Sequence, residues 1–118
     1  MLTLPQIDAI ERTPEGVCLH FVVPPDLEYF DGHFPEVPLL PGVVQVGWAI
    51  ELARLHLASS MEGALERFGL LSSVKFMRVM QPGASISLRL TVDLERRELA
   101  FEYRAGAQTC SSGCARFH

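Results

Sequence analysis

The chain has 118 residues, a formal net charge of −4 and 48% hydrophobic residues. This length suits one domain, predicted to span residues 1–118 and to bury a real core. Acids and bases are scattered along it, which excludes a basic nucleic-acid face and an acidic disordered tail. The longest apolar run is broken by Gln45, Glu51 and Arg54, short of the about 18 to 20 residues of a membrane span.

In chain order, "MLTLPQIDAIERTPEG" lacks the basic start and apolar block of a secretory signal. An odd set of three cysteines, Cys18, Cys110 and Cys114, does not suggest a disulfide framework, so the expectation is a reduced, cytoplasmic protein. "GVCLHFVV", Gly16 to Val23, reads as the first strand, with His20 on it as a structural residue. Pro24 and Pro25 end it, because proline cannot continue a ladder. The segment 26–42 carries Gly32, Pro35, Pro38, Pro41 and Gly42 and reads as a stiff, structured loop.

Pro41 is placed to start a helix, where its missing N–H does no harm. The helix is predicted over Val43 to Ser59, with apolar residues on nearly every face, which reads as a buried central helix. "LLSSVKFMRVM", "ASISLRLTVDLE", "ELAFEYRAG" and "QTCSSGCARF" read as strands, joined at first by Gln81-Pro82-Gly83 and by Glu95–Glu98. The second of these alternates, with Ile86, Leu88, Leu90, Val92 and Leu94 on one face. On a strand, Cys110 and Cys114 share a face and read as buried or edge thiols. The expected fold class is α+β: an antiparallel sheet wrapped around one long helix.

Candidate chemistry gathers where the helix starts. His33 lies in the proline-stiffened loop and titrates near neutral pH. Gly42 can bring its N–H close to a ligand, and the helix N-terminus adds unpaired donors and partial positive charge. A base beside an oxyanion donor is the kit for removing a proton next to a carbonyl. No His/Cys or carboxylate grouping has metal-ligand spacing, and there is no Gly-rich phosphate loop, so neither metal nor cofactor is expected. A structural hydrogen-bonding role for His33 is the bland alternative.

"YFDGHFPEVPLLPGVVQVGWAIELA" resembles the active-site segment of the hotdog-fold 3-hydroxyacyl-acyl-carrier-protein dehydratases. Their pattern is Gly-His-Phe, a spacer ending in Met/Leu-Pro-Gly, then a helix with a Glu or Asp and, one turn on, a Gln. "VKFMRVMQPGASISLRL" resembles the strand–turn–strand that follows, and "QVGWA" is similar to the helix of dehydratases from aryl-polyene-type clusters.

The resemblance implies that His33 takes a proton from C2 of a 3-hydroxyacyl thioester on acyl-carrier protein while the Gly42 N–H holds the thioester carbonyl. It places Phe34, Pro41, Val43 and Gly47 along the substrate. The family's acid position falls on Gly47, which has no side chain, and its Gln position on Glu51. Glu51 is then the substitute acid within this chain, with an ion pair to Arg54 as its structural alternative. Residues four apart share a helix face, so Glu51 lies one turn beyond the vacant position. A dimer or higher hotdog oligomer is implied, possibly with a second hotdog subunit that supplies the acid. A non-catalytic thioester binder and a hotdog thioesterase are the rival readings.

Overall fold

The structure, a computed structural model, describes residues 4–24, 40–61 and 68–117. Within them run β1 (Ile7–Thr13), β2 (Gly16–Val22), α1 (Gly42–Met61), β3 (Phe68–Phe76), β4 (Ser85–Asp93), β5 (Glu98–Ala105) and β6 (Gln108–Phe117). The strands form one antiparallel sheet in the order β1-β2-β4-β5-β6-β3. The α+β architecture is as expected.

The core is the face of the sheet that alternation predicts. On β4, Ile86, Leu88 and Leu90 are buried and Val92 is partly buried, while Leu94 lies past the strand end and is exposed. Along α1, Val44, Gln45, Trp48, Ala49, Leu52, Ala53 and Leu57 are buried, a stripe at helical spacing. Trp48 meets Phe21 of β2 edge-on, with ring centroids 5.8 Å apart and planes at 82°. Edge-to-face pairs of this kind contribute about 0.5–1.5 kcal/mol beyond the area they bury.

Several details differ from the sequence reading. β1 was not expected: its residues are nearly all exposed, so an edge strand of this kind carries no apolar alternation to read. The helix is not buried all round. A single sheet covers one face, and Val43 and Leu55 are exposed at 80% and 66%. The strand expected through Met80 stops at Phe76. Gln81-Pro82-Gly83 does not close a hairpin: β3 pairs with β6 at the edge and β4 lies between β2 and β5, so the segment carries the chain across the sheet. Non-neighbouring pairing leaves no local signal.

The cysteine expectation is also corrected. Tyr103 pairs with Ser111 but Arg104 with Thr109, so β6 has one extra residue at Cys110. Such a bulge inverts the alternation beyond it. Cys110 lies in the core, whereas Cys114 pairs with Ala100 on the outer, half-exposed side. The two thiols therefore do not share a face. The β5–β6 hairpin closes through Gly106 and Ala107, and Gly106 supplies the positive φ of 60° that this tight loop needs.

Candidate active site at the start of the helix

Leu40, Pro41 and Gly42 form the entry to α1. The Leu40 N–H donates to the Met80 carbonyl at 2.8 Å, which ties this entry to the segment after β3. The Pro41 carbonyl accepts from the N–H groups of Val44 at 3.0 Å and Gln45 at 3.1 Å. Those bonds close the first turn and leave the N–H groups of Gly42 and Val43 without an intrahelical acceptor. They carry the positive end of the helix dipole.

The Phe76 ring sits against Gly42. A Cβ there would lie 2.8 Å from Phe76 Cζ, so glycine is what allows the ring to close on the backbone. The two residues share a cleft of about 380 Å³ with Leu40, Gln45, Met77, Arg78 and Val79. The cleft is mostly apolar and open, with Gly42 in its wall. An acyl group with a polarised carbonyl fits those surroundings.

Behind the cleft, Gln45 is buried and fully engaged. Its Nε2 donates to the Leu40 carbonyl at 2.9 Å. Its Oε1 accepts from Ser111 Oγ at 2.6 Å. Its backbone carbonyl accepts from the Tyr103 hydroxyl, also at 2.6 Å. Complete burial pushes the Tyr103 phenol well above its usual range, which keeps it a proton donor. The network pins the helix start to β5 and β6. A buried polar network of this kind persists only when each member is satisfied.

Of the residues expected from sequence, Gly42 lines the cleft and Pro41 precedes it. Val43 is on α1 but faces solvent. Gly47 is partly buried further along the helix. Glu51 forms an ion pair with Arg54, its neighbour three residues on, which is the structural role anticipated for it. None of these last three lines the cleft. His33 and Phe34 lie outside the described residues. Sequence reasoning noted Gln45 as a break in the apolar run and did not single out Tyr103, Ser111 or Phe76. The available signal was a lone glutamine on the core-facing stripe of an otherwise apolar helix.

His20 reads from the sequence as a structural residue of its strand, and His56 lies late on α1. His20 does make side-chain bonds, described below. The His56 carbonyl accepts from Arg12 at 3.0 Å, and desolvation, then the Arg12 charge, lowers the pKa of its ring. Among the described residues, no group of three metal-ligating side chains comes together, and no helix is long and apolar enough to cross a membrane.

Among the described residues, a six-stranded antiparallel sheet packed on one long helix, with an open apolar cleft at the helix start, defines a hotdog-fold protein. The sequence profile of the ApeI-like dehydratases, described as ApeI dehydratase, matches residues 9–114. The chain belongs to that family. It is 36% identical over 66 residues to the 3-hydroxyacyl-[acyl-carrier-protein] dehydratase FabZ of Clostridium novyi, which covers 54% of this chain and 46% of that protein. The chain thus spans about half the length of the curated relatives it matches. Among solved structures it is similar to the dehydratase heterocomplex ApeI:P from Xenorhabdus doucetiae, with a TM-score of 0.83 and 32% identity over 96% of each chain. A fluoroacetyl-CoA thioesterase, 20% identical over 87% of this chain and 86% of that one with a TM-score of 0.53, shares the fold alone.

Proposed function

We propose that this protein dehydrates 3-hydroxyacyl thioesters carried on acyl-carrier protein to trans-2-enoyl thioesters, in fatty-acid or polyene lipid biosynthesis in the cytoplasm. The observation that carries the reading is the helix start at Gly42, with spare N–H donors in an apolar cleft, inside a chain of the ApeI-like dehydratase family. The thioester carbonyl accepts from the Gly42 N–H, which stabilises negative charge developing on that oxygen. His33 removes the C2 proton, and the electron pair then forms the C2–C3 double bond as the 3-hydroxyl departs. The departing oxygen must receive a proton to leave as water. Phe34 and Pro41 flank the acyl chain in this reading, Val43 and Gly47 lie outside the cleft, and no cofactor takes part.

The source of that last proton separates two versions. Glu51 supplies it in the first, which requires Arg54 to release it. In the second, a partner hotdog subunit supplies it. Two observations favour the second: Arg54 already holds Glu51, and Gly47 offers no side chain. The similar ApeI:P structure is itself a dehydratase heterocomplex.

The test follows enoyl formation from a 3-hydroxyacyl thioester. Product from the purified chain, lost in His33→Ala and reduced about 100-fold or more in Glu51→Gln, supports the first version. Product that appears only in Gly47→Asp, or only when a second hotdog subunit is added, supports the second. Free thiol without enoyl product identifies a thioesterase and overturns both. Binding of the thioester without turnover under every condition leaves a non-catalytic acyl binder.

A further inference from the structure

The outer face of the sheet carries a second constellation, away from the helix start. His20 on β2 lies directly opposite Ser87 on β4, and Glu11 on β1 is opposite Cys18, two residues from His20. Leu19 and Phe21 point into the core, so the intervening His20 points outward. Cross-strand and diagonal neighbours on one face are within side-chain reach. Here they meet: Ser87 Oγ is 3.0 Å from His20 Nδ1, and His20 Nε2 is 2.5 Å from Glu11 Oε1. A carboxylate only accepts, so Nε2 carries the proton of that bond and Nδ1 is left to accept from the serine hydroxyl. Nucleophile, base and orienting carboxylate thus stand in one row.

The row lines a groove of about 520 Å³ that also includes Cys18, Arg89 and Arg104. Arg104 pairs with Ser87 across the β4–β5 ladder, and its Nε has no hydrogen-bond partner. Both arginines line the groove, the Arg104 guanidinium donating to the Ala107 carbonyl at 2.9 Å, and positive charge in the groove favours the negative charge that develops when an acyl carbonyl is attacked. Burial, then the Glu11 charge, holds the Cys18 thiol above its ordinary range, which leaves Ser87 as the nucleophile.

We propose that Ser87, His20 and Glu11 form a second, hydrolytic site on the outer face of the sheet, with Ser87 as nucleophile toward small activated acyl esters. Ser87 Oγ attacks the acyl carbonyl as its proton passes to His20 Nδ1. The bond to the leaving alkoxide breaks, and that group departs with the proton. Water then attacks the Ser87 ester by the same route, releases the carboxylic acid and restores the serine. Glu11 fixes the ring and stabilises the imidazolium formed in each half. The site does not depend on the dehydratase reading.

The full chain is treated with a fluorophosphonate, which bonds an activated serine through phosphorus as fluoride leaves, and the adduct is located by peptide mass mapping. The expected result is one adduct, on Ser87. Its formation rate should fall about 100-fold or more in His20→Gln and at least about tenfold in Glu11→Gln. Thermal melts check that each variant is folded; should His20→Gln unfold, Glu11→Gln reads the same relay from its exposed end. No adduct on Ser87, or an adduct formed at the same rate in both variants, overturns the proposal.

Discussion

Replacing Gln45 with leucine tests whether the buried network sets the helix start. The change removes the donor to the Leu40 carbonyl and the acceptor of the Ser111 hydroxyl. Both Leu40 and Ser111 are buried, at 1% and 0% exposure, so water cannot take over. Each buried polar group left unpaired costs about 1–3 kcal/mol. Two of them, offset in part by the apolar leucine, give an expected loss of about 2–4 kcal/mol. Ser111→Ala strands only Gln45 Oε1 and should cost about 1–2 kcal/mol. In the double variant only the Leu40 carbonyl is left unpaired, so its cost should fall short of the sum of the two by about 2–4 kcal/mol.

Urea unfolding of the four proteins measures this cycle, and melting temperatures should follow at roughly 4 °C per kcal/mol. Gln45→Leu should also slow enoyl formation, because Leu40 immediately precedes the Pro41-Gly42 step. Stability losses that add within about 0.5 kcal/mol would refute the reasoning, since independent sites add to that precision.

Two further outcomes follow from the same geometry. Gly16→Ala should cost more than about 4 kcal/mol or prevent folding, because the new Cβ would lie 1.8 Å from the Leu90 carbonyl oxygen, a backbone atom that cannot swing away; urea unfolding checks it. His56 has a lowered pKa in the fold, so the unfolded chain binds its proton more readily; stability should fall as pH drops below about 6.5 toward the lowered folded value, and His56→Gln should fall less over that window in pH-dependent melts.

Particular residues show what could be read in advance. Ile86, Leu88 and Leu90 alternate with polar neighbours, and period two by itself puts them in the core. Pro41-Gly42 before an apolar run marks the helix start, because proline fits only the first turn. The family resemblance puts the expected acid position on Gly47, and that it has no side chain there is a matter of residue identity.

Tertiary structure decided everything that depends on distant partners. β3 joins β6 rather than β4, and the bulge at Cys110 separates two cysteines that strict alternation would align. Gln45 becomes the anchor of the helix start only when Ser111 and Tyr103 arrive from strands 66 and 58 residues further along the chain. His20 gains a serine on one ring nitrogen and a carboxylate on the other only when three strands align. Periodicity reports which face a side chain takes, because that is set by local backbone geometry. Which partner waits on that face is set by strand order and register, and these are properties of the whole sheet.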